Sequence, residues 1–185
     1  MRCLHVMGAA GSGTTTLGGA LAAALDLPCH DTDDHLWLPT DPPYQALRPV
    51  AGRLERLGAA LDAAPGWVLS GGLAGWGDPL IPRFDLVIFL SVATATRLDR
   101  LRRREAARHG RRIEAGGDLA AVHAGFLAWA AGYESVGLGQ RSRAMHESWL
   151  ADLPCPVLRL DGSRPLLALR DSVLDRMGAL QPARS

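Results

Sequence analysis

Apolar residues recur along this chain in two rhythms, short unbroken runs and helix-spaced stripes. Leu4 to Met7 is a run that ends at a glycine and predicts a buried strand. Thr14 to Leu25, rich in alanine and leucine, predicts a helix that starts inside a glycine-rich loop. Pro28 to Asp31 predicts a second short strand. Between Arg48 and Ala64, Val50, Leu54, Leu57 and Leu61 fall at helical spacing. Trp67-Val-Leu69 reads as a strand, opened by Pro65-Gly66 and closed by Gly71-Gly72. Asp85 to Val92 is the clearest run, of the kind a central parallel strand needs when both its faces are covered. An arginine-heavy helix is predicted from Thr94 to about His109, a strand from Pro156 to Leu160, and a last helix from about Arg164 to Met177. The tail after Gln181 is expected to fray. Glycine pairs, with a helical patch at Phe126, Leu127 and Trp129, mark Gly110 to Gly139 as a mobile excursion.

Strand and helix alternate throughout, which predicts an α/β fold of three layers. About five parallel strands are expected, with helices on both faces. The 185 residues fit one domain, with no internal repeat and no linker. Net charge is +1, so no global field draws the chain to nucleic acid or membrane. No apolar run approaches the roughly 20 residues of a membrane span, and Met1 to Met7 reads as a first strand, not a signal peptide. Cys3, Cys29 and Cys155 are far apart and lack metal spacing, which predicts buried thiols in a reducing cytoplasm. Oligomeric state leaves no signal. Every basic residue is arginine, with no lysine or asparagine anywhere. This reads as drift in a GC-rich coding sequence and weakens any claim that a given arginine was chosen for its forked geometry.

Chemistry enters at the first glycine loop. Gly8-Ala9-Ala10-Gly11-Ser12-Gly13-Thr14-Thr15-Thr16 follows a predicted strand and opens a predicted helix. The spacing is that of a phosphate-binding loop, but Thr14 stands where such loops carry lysine. Consecutive backbone N–H groups and the helix N-terminus attract phosphate without that lysine. The Thr15 hydroxyl is placed to meet Mg²⁺. The chain therefore reads as a P-loop NTPase fold that binds ATP or another NTP with Mg²⁺. The missing charge is expected from arginines of the excursion.

On these residues the chain resembles the adenylate-kinase-related nucleotide and small-molecule kinases. Gly-Ser-Gly-Thr-Thr-Thr is similar to the loop of archaeal-type cytidylate kinases, and topology-modulation-type proteins are another near match. His30-Asp-Thr-Asp-Asp-His35 ends the second strand, and Asp31 and Asp33 share one face of an extended segment. The pair resembles the Asp-x-Asp of shikimate-type and gluconate-type kinases. That implies Asp31 on the Mg²⁺ side and Asp33 as base toward an acceptor hydroxyl. Ser70 stands where adenylate kinases carry an acid, and Gly71-Gly72 matches the glycine run of shikimate-type kinases. Arg100 and Arg104 resemble the lid-entrance arginines that meet base and phosphates, and with lysine missing from the loop Arg104 is expected to carry unusual weight in stabilising the transferring group. Arg97 is expected on the same helix face.

The resemblance implies an acceptor-binding segment at about 34–65 and a lid at about 105–145. It places Arg48 and Arg53 on an acceptor anion, with Gly71 and Gly72 beside the acceptor and Arg141 and Arg143 clamping phosphate. Trp37, Tyr44 and Trp76 are candidates for stacking on a ring, or for packing. Asp161-Gly162 resembles the loop bordering the adenine. The reading is an ATP- and Mg²⁺-dependent kinase for a nucleoside monophosphate or a small hydroxylated metabolite. The lost lysine favours an alternative, a nucleotide-binding regulatory protein with little turnover. A plain NTP hydrolase is a third reading, without an evident water-positioning residue.

Overall fold

The computed structural model describes residues 2–41 and 44–180. Five strands form one parallel sheet: β1 (Cys3–Gly8), β2 (Cys29–Asp31), β3 (Trp67–Ser70), β4 (Leu86–Ser91) and β5 (Val157–Asp161), in the order β2-β3-β1-β4-β5. The helices are α1 (Thr14–Leu25), α2 (Asp33–Leu36), α3 (Val50–Asp62), α4 (Thr94–His109), α5 (Ala120–Ala131), α6 (Arg143–Ala151) and α7 (Leu166–Leu180).

The sheet is covered on both sides because its strands alternate between two cores. Leu4 and Val6 of β1, with Leu86, Ile88 and Leu90 of β4, face α1 and α7 through Leu17, Leu21, Leu169 and Val173. Met7, Leu69, Val87 and Phe89 face the other way, onto Leu57 and Leu61 of α3 and Leu150 of α6. This period of two inside continuous apolar runs is what a doubly covered parallel strand requires. The predicted α/β sandwich is therefore the observed one.

Four differences stand out. The last helix starts at Leu166 and runs to Leu180; the fraying expected after Gln181 lies outside the described residues. The excursion contains a full helix, α5, flanked by 3₁₀ turns at Gly110–Ile113 and Gly132–Glu134. Helix α6 lies outside the elements predicted from the apolar pattern, and Ser142 caps it by accepting from the Met145 N–H at 3.0 Å. The thiols are not all buried: Cys29 is exposed, and Cys3 and Cys155 are half-buried. Cys29 begins β2, an edge strand.

Candidate active site

All strands point the same way, so their carboxyl ends share one rim, and β1 is flanked there by β3 and β4. The chain reverses its direction of travel across the sheet at this place, which leaves a crevice. The glycine loop fills it. A Cβ on Gly8 would stand 2.5 Å from Ser12 Oγ and 2.7 Å from the Leu90 carbonyl oxygen, so only glycine lets the turn close. Gly13 holds φ +97° and opens α1, and no side chain caps the helix. The first N–H groups of α1 thus face the crevice as anion donors.

Register brings the acids to the loop. Asp31 lies beside Ser70, and Ser70 beside Val6. The Thr15 hydroxyl donates to Asp31 Oδ2 at 2.9 Å, and the Ser70 hydroxyl donates to the same oxygen at 3.3 Å. Asp31 Oδ1 accepts the Asp33 N–H at 3.0 Å, which turns the chain from β2 into α2. Thr15 and Asp31 together offer hard oxygen donors, which fit Mg²⁺.

Asp33 lines the crevice and keeps an exposed surface. Lost solvation raises its carboxyl above the ordinary range, and the Asp31 charge raises it further. Arg141, a hydrogen bond with Trp37, and Arg104 oppose that shift.

The crevice is about 1250 Å³. Loop residues Ala9, Ala10, Gly11, Gly13, Thr14, Thr15 and Thr16 form its floor, with Asp31, Asp33 and Gly71 along one wall. Ser12 is buried below the floor. Arg100, Arg104 and Arg141 reach it from the lid side. Arg100 donates to the carbonyls of Ser12 (3.4 Å) and Gly162 (3.1 Å), joining the loop to the β5–α7 turn. Arg104 is paired with Glu105 at 2.8 Å and lies 5.9 Å from the Phe126 ring centre. Arg141 donates to the Gly8 carbonyl at 2.9 Å and lies 6.0 Å from the Trp129 ring centre. The roof is partly apolar, built by Ile113, Leu119, Val122, Phe126 and Trp129, with Arg108, His109 and His123 beside them.

Other candidates are placed elsewhere. Arg97 does not share the crevice face of Arg100 and Arg104: it is fully buried. Its guanidinium donates to the carbonyls of Val92, Ala10 and Ala130, each at 3.2 Å, and to Thr94 Oγ1 at 3.0 Å. Arg48 and Arg53 are outside the crevice wall. The segment after α2 folds back on itself through a Trp37–Leu47 bridge, and Arg48 donates to the Trp37 carbonyl at 3.4 Å. Arg53 donates in turn to the Arg48 carbonyl at 2.5 Å and packs on Trp76. Trp76 is tied to the Gly72 carbonyl at 3.0 Å, while Trp37 and Tyr44 do line the crevice.

Arg143 begins α6 and faces away, toward Ser91, Glu134 and Glu147. It lines a separate cavity of about 540 Å³ with Arg159 and Asp161. Gly72 stands just behind the wall, against the Arg141 guanidinium. Glu105 is buried and paired with both Arg104 and His109; its i, i+4 spacing to His109 is the signal for it in the sequence.

A five-stranded parallel sheet with this loop at its rim defines a P-loop protein of kinase-like fold. The chain belongs to the AAA domain family, whose profile matches residues 5–118. It is 41% identical over 176 residues to the uncharacterized protein YqaC of Bacillus subtilis (strain 168), covering 95% of this chain and 97% of that one. Its fold is that of a gluconokinase from Sinorhizobium meliloti 1021, at TM-score 0.54 and 17% identity, over 97% of this chain and 93% of that one. A sugar kinase from Janibacter sp. HTCC2649 superposes at TM-score 0.49 and 18% identity, over 96% and 95% of the two chains. No helix among the described residues is long and apolar enough to cross a membrane.

Proposed function

We propose that this protein is an ATP-dependent phosphotransferase that acts on a nucleoside monophosphate or a small hydroxylated metabolite. The observation that carries the reading is the cluster of Thr15, Asp31 and Asp33 beside the loop, tied by bonds of 2.9 and 3.0 Å. A loop that only held a nucleotide would need no second carboxylate facing open space next to the γ-phosphate position. The gluconokinase fold supports the same class of chemistry.

The loop N–H groups and α1 would hold the triphosphate. Thr15 and Asp31 would hold Mg²⁺, which when bound neutralises phosphate charge. Asp33 orients the acceptor and, where the attacking group is a hydroxyl, accepts its proton. The acceptor oxygen bonds to the γ-phosphorus, the bond from that phosphorus to the bridging oxygen breaks, and the nucleoside diphosphate leaves. Arginines on the lid side stabilise the charge spread over the transferring group. The apolar side chains of the roof exclude water and disfavour hydrolysis.

The test is ATP-dependent phosphorylation across a panel of nucleoside monophosphates and hydroxylated metabolites, with Asp33→Asn as control. Transfer to a panel member, abolished in Asp33→Asn with ATP binding intact, is the expected result. Full transfer by the variant defeats the assignment of Asp33. Turnover of no acceptor, with tight nucleotide binding, supports the regulatory alternative that Thr14 favours.

A further inference from the structure

Thr14 leaves the loop without the cation that phosphate loops ordinarily carry, and the chain has no lysine to supply one. Four arginines line the crevice: Arg100, Arg104, Arg108 and Arg141. Arg100 is engaged by the carbonyls of Ser12 in the loop and Gly162 in the β5–α7 turn, and Arg104 by Glu105. Arg108 lies one turn further along α4, toward the lid.

Arg141, like Arg100, bonds a loop carbonyl, that of Gly8, the first glycine, at 2.9 Å. Its charge faces both Asp33 and Asp31. Its Nε is shut away from solvent and has no hydrogen-bond partner among the described residues. Trp129 supports the guanidinium from the roof, and the capped start of α6 fixes the backbone next to it. Gly72 makes the room: a Cβ there would stand 2.9 Å from the guanidinium carbon. The cation therefore lies between the mouth of the loop and the acceptor carboxylate, where the transferring phosphoryl group must pass.

We propose that Arg141 replaces the absent loop lysine, bringing its charge to the β- and γ-phosphates from the returning end of the lid. The proposal builds on the phosphotransferase reading, but its consequence for triphosphate binding holds whether or not an acceptor is turned over. Because the cation belongs to the lid and not to the loop, the phosphate site is complete only when the segment between α5 and α6 is docked. Gly72 is a positioning residue for that cation.

The test compares wild type, Arg141→Ala, Arg141→Lys, Gly72→Ala and the double variant Thr14→Lys/Arg141→Ala. Calorimetry with Mg²⁺ measures binding of ADP and of a non-hydrolysable ATP analogue, and thermal melts confirm folding. In Arg141→Ala, analogue affinity is expected to fall at least 10-fold, and ADP affinity, which loses only the β-phosphate contact, by a clearly smaller factor. Thr14→Lys should restore the analogue affinity in that background. Arg141→Lys should retain most of it, and Gly72→Ala should lose part of it by displacing the guanidinium. With an acceptor in hand, Arg141→Ala should lower kcat by about 10³-fold and change the acceptor KM little.

An unchanged analogue affinity in Arg141→Ala, with a raised acceptor KM alone, overturns the proposal and makes Arg141 an acceptor anchor. A folded double variant that stays as weak as Arg141→Ala overturns it too. If Arg141→Ala does not fold, Gly72→Ala decides: an unaltered preference for the triphosphate analogue overturns the proposal. Failure of the phosphotransferase reading shows separately, as a wild type that binds ATP and phosphorylates nothing.

Discussion

Replacing Gly71 by alanine probes the backbone that carries the acidic pair. Gly71 holds φ +112°, a conformation that L side chains rarely adopt. A Cβ there would also collide with the Thr32 hydroxyl. That hydroxyl accepts the Gly72 N–H at 3.0 Å, and the Thr32 N–H donates to the Ser70 carbonyl at 2.8 Å. The backbone conformation alone costs a non-glycine residue roughly 1–3 kcal/mol. Displacing the buried hydroxyl forfeits about 1 kcal/mol of hydrogen bonding. Gly71→Ala should therefore destabilise the fold by roughly 2–4 kcal/mol, or about 5–15 °C in Tm for a chain of this size. Gly58→Ala is the internal control. Gly58 lies inside α3, where an added Cβ meets nothing within 4 Å. There the same substitution should stabilise, by about 0.5–1 kcal/mol. Urea unfolding followed by circular dichroism measures both. A Gly71→Ala midpoint within the error of wild type, or the same sign for both variants, would refute the reasoning. Because Thr32 stands between Asp31 and Asp33, Gly71→Ala should also depress transfer more than nucleotide binding.

Two predictions concern pH. Burial and Asp31 raise the Asp33 carboxyl, so the acid limb of kcat/KM should lie above the usual aspartate range of about 3.9. Arg141 opposes that shift, so Arg141→Ala should move the limb upward; a limb at or below the ordinary range, or one that moves down, contradicts the assignment. His5 is buried against Phe84, with Nδ1 3.2 Å from the Leu69 carbonyl oxygen, and burial lowers its pKa from 6.5 to about 4. The unfolded chain then binds the proton at higher pH than the folded one. The stability it contributes is present above about pH 6.5 and is lost as pH falls toward 4, by about 2 kcal/mol near pH 5. His5→Phe should remove that part of the acid dependence in denaturation curves at neutral and acid pH; an identical dependence in the variant refutes it.

The parallel sheet was legible because its strands are continuous apolar runs, and β4 from Leu86 to Ser91 could be read almost to the residue. The loop and Asp31 were legible because spacing along one strand fixes which groups share a rim. The arginines were not. An arginine on a helix gives no sign of whether it finds a carbonyl, a carboxylate or open space. Arg97 and Arg100 are three residues apart, yet one is sealed in the core and the other spans two loops. Arg141 and Arg143 are two apart, and the cap at Ser142 turns them to opposite sides of β4. These outcomes depend on contacts between segments far apart in the chain, to which local periodicity is blind.

Arg97 carries a warning for mutagenesis. It bonds the carbonyls of both Ala10 and Ala130, so one side chain outside the crevice wall ties the glycine loop to the seat of α5. In an alanine scan scored by activity, Arg97 would rank with the residues that touch phosphate. The scan would be registering the collapse of a mould, and only a melting curve run beside each assay would separate that loss from a loss of chemistry.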